Sequence, residues 1–457
     1  MAAKNERIII IGAGIFGLGT ALTLKEKGYR FVTVLDRAMP PVPDGSSNDI
    51  SRVIRFDYGD EVYARMGKEA FDLWKTPAYK EAFHQSGCLW VTQKETPGQP
   101  VQPAAEEYSR KTREILTKMG EPWHSVPTVE DCKREFPEFT GPLGNPGFYA
   151  FFNNSGGWAD AGLASARVAA RCIAAGVSFI TGPDGQVTDF EKRADGTIEA
   201  VRTSSGNRIR GDKFIVATGA WTASLVPSWN SMVAAAQIVG YMRLTPEEMI
   251  RLRNMPVYFN LSTGFFCFPP HDGTNILKVA VHSYGYTHSQ NGISAPPAAP
   301  PSARANFIPE EAVERLNLGM KDLFPDLEPK GWERVALCWY NDTPTGDFIL
   351  DYHPQHKNMF IATGGSGQSD ILTNPRDSAF KFLPVIGKYV VGCFEKNLSQ
   401  DLLQKWKFPT EYKERFQGDV FKGDGSRGGP ERRELTPQER ERFAGALTAA
   451  STRQSKI

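Results

Sequence analysis

The stretch Arg7-Ile-Ile-Ile-Ile-Gly-Ala-Gly-Ile-Phe-Gly17 decides the fold. Four consecutive isoleucines, residues 8–11, suit a strand buried on both faces, as in a parallel sheet. The run breaks at Gly12-Ala-Gly14-Ile-Phe-Gly17, and a helical pattern follows to Lys27, where Gly28 stops it. A second apolar run, Phe31-Val-Thr-Val-Leu35, ends at Asp36. Strand, glycine turn, helix, strand and acid within about 30 residues is the βαβ unit that binds dinucleotides. Gly12 makes the tight turn, Gly14 lets the backbone approach a pyrophosphate, and Gly17 lets the helix pack closely on the sheet. Unpaired N–H groups at the helix start face the phosphates. Asp36, 24 residues after Gly12, is placed to accept hydrogen bonds from ribose hydroxyls. NAD and FAD both suit this motif taken alone.

Further along, Lys213-Phe-Ile-Val-Ala-Thr-Gly-Ala-Trp221 is a buried strand ending in a small-residue turn, and Met359-Phe-Ile-Ala-Thr-Gly-Gly-Ser-Gly367 repeats the logic. Turns converging from distant chain positions suit an elongated dinucleotide along a sheet's carboxyl edge and favour FAD. Other helical patterns cover 61–76, 103–118, 161–175, 309–323 and 380–395. Strand-like stretches cover 88–92, 148–152, 233–244, 257–268, 276–282 and 334–351. The Pro/Ala/Ser-rich stretch Ile293–Ala305 reads as a surface loop or linker. Phe421–Arg442 is dense in charge, Gly and Pro, and the tail after it is expected to be mobile or to wrap the surface.

The 457 residues suggest two or three compact units, or one fold with a large insertion. With 53 Lys+Arg against 52 Asp+Glu, the balance argues against a nucleic-acid binder. Six Cys without a Cys-x-x-Cys pair form neither a disulfide framework nor a zinc ribbon, and no metal site is expected. No run of about 18 apolar residues suggests a membrane span. Ile8–Leu24 is apolar like a signal peptide, but Gly12, Gly14, Gly17 and Gly19 mark it as structure. The end, Ser455-Lys456-Ile457, differs by one residue from the Ser-Lys-Leu peroxisomal address, so peroxisome and cytosol are both carried forward.

The motifs together resemble the covalent-FAD amine oxidases of the monomeric sarcosine oxidase type, closest in flavour to fungal L-pipecolate, L-saccharopine and fructosyl amino acid oxidases. The resemblance spans about residues 7–395. It rests on Gly12–Gly17 with Asp36, Ser46-Ser-Asn-Asp-Ile-Ser-Arg-Val-Ile-Arg55, Gly156-Gly-Trp-Ala-Asp160, Ala217-Thr-Gly-Ala-Trp221 and Cys338-Trp-Tyr-Asn-Asp-Thr-Pro-Thr-Gly-Asp-Phe-Ile-Leu-Asp-Tyr-His-Pro354. Read alone, Val335-Ala-Leu-Cys338 suits an inert buried cysteine. The resemblance implies instead that Cys338 carries the flavin as a thioether. It further implies that Arg52 lies by the flavin ring and that Arg55 grips a substrate carboxylate, a task suited to a planar fork of donors.

Lys278 and His282 lie four apart on a strand-like segment and so share a face. A lysine in an apolar run is expensive to bury without purpose. The resemblance implies that Lys278 promotes reaction with O2, where a fixed cation stabilises developing negative charge. His282 is read as tuning the amine's protonation or the local field. Lys381 is expected as a second carboxylate ligand and Tyr340 as a further substrate contact. About ten residues, from Gln368 to Ala379, are inserted before Phe380-Lys381, as a lid or an error in the gene sequence. Remaining cofactor contacts are expected at Ile15, Phe16, Arg37, Ser46, Ser47, Asn48, Val187, Gly364, Ser366, Gly367, Phe380 and Lys381.

The resemblance implies a two-domain α/β flavoprotein of the D-amino-acid-oxidase type. A discontinuous Rossmann-type FAD domain is expected from 1–87, 151–232 and 331–395. A mainly antiparallel substrate domain is expected from 88–150 and 233–330, followed by a partly mobile tail, 396–457. The expected reaction is oxidation of a secondary amine bearing a carboxylate, such as sarcosine, pipecolate or saccharopine. Hydride passes to flavin N5, the imine is hydrolysed, and O2 becomes H2O2. The expected partners are a small amino acid substrate and O2, and the expected state is a monomer. Alternatives are a fructosyl amino acid oxidase, a secondary-metabolite tailoring oxidase, a dehydrogenase with a non-oxygen acceptor, and a flavoprotein whose site the insertion blocks.

Overall fold

The computed structural model describes residues 3–94, 104–144, 146–229, 231–297, 304–365, 379–410, 427 and 430–454. Ser366, Gly367, the insertion up to residue 378 and Ser455–Ile457 lie outside the described residues.

The four-isoleucine run forms the strand Arg7–Ile11 at the centre of a six-stranded sheet. On one side it pairs with Phe31–Leu35 and then Ser178–Ile180; on the other it pairs with Lys213–Val216 and then Met359–Thr363. All these pairs are parallel, and Ile349–Tyr352 closes the edge antiparallel. The helix Ile15–Glu26 follows the glycine turn and packs against helices Ala161–Ala174 and Ile386–Phe394. Gly12 holds φ at +106°, and a Cβ there would stand 2.4 Å from the Ala217 carbonyl oxygen. Only glycine fits that crossing of two strand ends.

The second large sheet has nine strands. Its main path runs Arg334–Asp342, Val233–Arg243, Ile276–Thr287, Phe265–Cys267, Val257–Asn260, Cys88–Thr92, Tyr149–Asn153 and His124–Val126. Two expected strands divide. The 257–268 stretch turns at Gly264, where φ is +76°, so the chain folds back on itself as a hairpin. The 334–351 stretch splits between the two sheets, and Arg334–Asp342 pairs with Val233–Arg243 rather than joining the nucleotide layer that the boundary at 331 assigns it to. The expected helix 380–395 is a 3-10 turn, Ala379–Phe382, and a helix, Ile386–Phe394, because Pro384 cannot continue the first turn.

The tail is packed rather than loose where it is described. Arg433–Glu434 pairs in parallel with Tyr286–Thr287, and the helix Pro437–Gln454 buries Phe443 in a stack 5.4 Å from Phe307. The loop read from 293 to 305 is likewise anchored at its end, since Arg304 and Ala305 are buried.

Candidate active site

A cleft of about 390 Å³ runs along the carboxyl ends of the parallel strands, from Asp36 and Arg37 to Cys338, Tyr340 and Phe380. Its course past several strand ends, from the acid after the second strand to Cys338, suits an extended dinucleotide. Gly12, Gly14, Ile15 and Phe16 line it together with Ser46, Ser47, Arg52 and Val187. Gly17 stands behind them, where a Cβ would lie 1.8 Å from the Gly12 carbonyl oxygen. The Ile15 N–H at the helix start donates to Ser47 Oγ at 3.2 Å. The Asp36 carboxylate is held by the Ala13 and Arg37 N–H groups, each at 2.6 Å. Arg37 stacks 4.4 Å from the Trp221 ring. The bare glycine cradle, the helix N-terminus and the acid beyond the second strand fit FAD.

Besides Gly17, the expected contacts Asn48, Gly364 and Lys381 do not line this cleft, Lys381 lining a second pocket instead. Asn48 closes a turn, its N–H donating to the Gly45 carbonyl at 3.0 Å, and its carboxamide points to Pro43. Gly364, at φ +80°, makes the turn that presents Gly365 instead.

Against the nine-stranded sheet, a buried carboxylate gathers cations. Asp49 receives Arg52 at 2.7 Å, Lys278 at 2.9 Å and Arg304 at 3.1 Å, while Tyr241 donates to its other oxygen at 3.0 Å. Lys278 is 1% exposed and also donates to the Ser51 carbonyl at 2.6 Å. Burial pulls its pKa down to about 7 against the opposing pull of Asp49. Burial disfavours ionised Asp49, but Lys278, Arg52 and Arg304 outweigh it and hold the carboxyl well below the usual range.

Arg52 Nη2 lies 3.2 Å from Cys338 Sγ. Burial opposes ionisation of this thiol, yet Arg52 and Arg304 prevail and lower its pKa. The other cysteines behave oppositely. Burial pushes Cys132, Cys172 and Cys393 up to about 12, and raises Cys88 and Cys267 as well.

A second pocket opens beside this cluster. Cys338, Arg52, Lys278, Tyr340 and Lys381 share its wall with Phe259, Phe266, Phe268, Val239 and Gln237. The Gln237 side chain accepts the Ser283 N–H at 3.0 Å, and its buried NH2 has no hydrogen-bond partner among the described residues. The strand Ile276–Thr287 bulges beside it. Val281 pairs with Ile238, but the next pair is Tyr286 with Ala236. The bulge breaks the alternation expected to continue past His282. Lys278 and Ala280 line the pocket, whereas His282 stands outside its wall, 5.8 Å from the Tyr340 ring.

Arg55 does not line the pocket directly. It is 1% exposed, 4.4 Å from the Tyr58 ring and 4.6 Å from the Trp90 ring. Lys381 Nζ lies 5.3 Å from the same Tyr58 ring, so one aromatic joins the two expected carboxylate ligands. Trp90 in turn stacks on Phe259 at 4.2 Å. Arg427 from the tail pairs through both carboxylate oxygens with Asp342, at 2.8 and 3.1 Å, and lies 5.5 Å from the Tyr340 ring.

Sequence reasoning missed Asp49, Tyr58, Gln237, Tyr241, Arg304 and Arg427. Asp49 lies in the Ser46–Arg55 motif, and an acid three residues before Arg52 was a usable signal. Arg304 and Arg427 sit in loop-like composition and carried none.

Among the described residues there is no cluster of His, Cys, Asp and Glu that could hold a metal ion, and no helix long and apolar enough to cross a membrane.

A family model described as FAD dependent oxidoreductase, DAO, matches residues 7–391. L-saccharopine oxidase of Schizosaccharomyces pombe is 26% identical, with 90% of this chain and 94% of that protein covered. Human peroxisomal sarcosine oxidase is 28% identical, with 85% and 92% covered. The crystal structure of fructosamine oxidase (Amadoriase II) from Aspergillus fumigatus in complex with FSA superposes with a TM-score of 0.81 at 26% identity, covering 95% of this chain and 96% of that one.

Proposed function

Because the chain belongs to the DAO family of FAD dependent oxidoreductases, we propose that it oxidises a secondary amine carrying a carboxylate, with O2 as acceptor and FAD attached through Cys338. One observation carries this reading: a single pocket is lined at once by the cysteine with the lowered thiol pKa, by buried Lys278 and by Lys381.

Gly12, Gly14, Ser47 and Asp36 would hold the nucleotide end of FAD, and Arg52 and Cys338 its ring. Bound there, FAD supplies the hydride acceptor and passes the electrons to O2 as H2O2, while water hydrolyses the imine product. Lys381 in the pocket wall fixes the substrate carboxylate and so aims the amine, with Arg55 adding its positive charge from the far side of the shared Tyr58 ring. The aromatic wall of Phe259, Phe266 and Phe268 keeps water out, and burial favours the uncharged amine whose lone pair the reaction needs. Lys278 presents a cation where the oxygen step develops negative charge.

The wall also bears on the substrate's side chain. Among the described residues, apart from the charged groups and Cys338, its polar side chains are Gln237 and Tyr340. A polyhydroxylated group would leave several hydroxyls buried without partners, at roughly 1–3 kcal/mol each. This favours a compact N-alkyl or cyclic amino acid over a fructosyl one, the second reading, which the likeness to the fructosamine oxidase supports.

An oxygen-electrode screen of N-methyl, cyclic, saccharopine-like and fructosyl amino acids tests the proposal. Turnover of a carboxylate-bearing secondary amine with oxygen uptake is expected. Substrate-dependent flavin bleaching without oxygen uptake would point to another acceptor. Lys381→Met is expected to raise KM about 30-fold, from a loss of about 2 kcal/mol with Arg55 still in place. An analogue lacking the carboxylate should show little change. Equal effects on both substrates would remove Lys381 from the carboxylate site.

A further inference from the structure

Beside the two cations sits a carboxylate that the proposed reaction does not use. Asp57 is fully buried, on the chain two residues beyond Arg55. Its Oδ1 accepts from Asn153 Nδ2 at 2.7 Å, and its Oδ2 has no hydrogen-bond partner among the described residues. Its backbone carbonyl accepts from Arg55 Nη1 and, at 3.0 Å, from the Tyr108 hydroxyl. The groups facing it are Arg55, Lys381 on the 379–382 turn, Asn153 and Cys88 on neighbouring strands, and Tyr108 on the helix Ala105–Lys118.

We propose that Asp57 couples binding of the substrate carboxylate to uptake of one proton, taken from solvent onto Oδ2. The inference rests on the reading of Arg55 and Lys381 as the carboxylate site. In the free enzyme two cations and one buried anion leave a net single positive charge. An arriving carboxylate shares those cations with Asp57, and two carboxylates at one site disfavour each other's charge. Burial already raises the Asp57 pKa, with Arg55 and Lys381 pulling the other way. A second negative charge at the same cations raises it further. Affinity is then full below the free-enzyme pKa. It falls about tenfold per pH unit between the free and bound values and levels off above the latter.

The test titrates cyclohexanecarboxylate, which has no amine to ionise, into oxidised holoenzyme from pH 5 to 9, following the visible flavin absorption. Calorimetry in phosphate and Tris counts protons. Lys278 titrates near 7 in the same pocket, and His282 stands beside it, so both counts are repeated in Lys278→Met and His282→Gln. Uptake approaching one proton should persist in both. Asp57→Asn should take up none and should keep the acid-plateau affinity at every pH, binding up to tenfold or more tighter than wild type at the alkaline end.

Binding by Asp57→Asn that is weaker at all pH values with an unchanged slope would mark Asp57 as structural and overturn the proposal. So would wild-type binding without proton uptake, a result that needs no variant to fold. If wild type binds no amine-free carboxylate at all, the carboxylate site itself falls and this proposal with it.

Discussion

Cys338→Ala protein, precipitated with acid, is expected to leave all its flavin in the supernatant, while wild-type protein keeps yellow colour and flavin fluorescence on the denatured polypeptide band. The effect is all or none because a thioether either exists or does not. The physical case is a contrast within one molecule. All six cysteines are buried, so desolvation pushes every thiol toward the neutral form. Only at Cys338 is that push overcome, by Arg52 at 3.2 Å with Arg304 and Lys278 behind it. The thiolate is the nucleophile. Cys338 also lines both the long cleft and the smaller pocket beside Lys278, where a ring shared between them would lie. Covalent flavin persisting in Cys338→Ala would show that another cysteine is used.

Lys278→Met is expected to slow the oxygen half-reaction by about two to three orders of magnitude and anaerobic reduction by substrate much less. A fixed cation in a water-poor site, facing charge that appears during the step, contributes several kcal/mol, and each ~1.4 kcal/mol is tenfold in rate. Methionine keeps the volume and removes the charge. The structure adds a pH signature. With the Lys278 pKa near 7, the cation is present below that value and lost as pH rises through it. The wild-type oxygen step should fall toward a tenfold loss per pH unit above 7, and the Lys278→Met step should show no such fall. Stopped-flow mixing of reduced enzyme with oxygenated buffer reads both. An oxygen step in Lys278→Met at the wild-type rate would make Lys278 structural and leave Arg52, the next cation in the same wall, to carry the step.

The pH profile depends on Asp49, which the sequence reading passed over. One carboxylate serving Arg52, Lys278 and Arg304 sets where all three cations point and how far the Lys278 pKa can fall. A reading along the chain recognises each cation by its local oddity, a lysine in an apolar strand or an arginine after a turn. Their common counter-ion is not visible there, because residues 49, 278 and 304 are far apart in the chain and meet only when two loop positions fold onto the nine-stranded sheet.

The sequence by itself determined the nucleotide half. The isoleucine strand, Gly12, Gly14, Gly17 and Asp36 act within one βαβ unit, where contacts span few residues and backbone sterics dictate which side chain is tolerated. Cys338, Lys278 and Lys381 were legible too, through a motif resemblance and through the rarity of buried lysine. Tertiary structure alone decided the rest. A bulge after Val281 moved His282 out of the pocket wall although its spacing from Lys278 matched. Arg55 came to lie behind Tyr58 and Trp90 rather than in the open pocket. Asp57, Arg304 and Arg427 gained meaning only from partners far along the chain. The division has one cause: local sterics are written in neighbouring residues, whereas the charge felt by a buried group is the sum over whatever the fold packs around it.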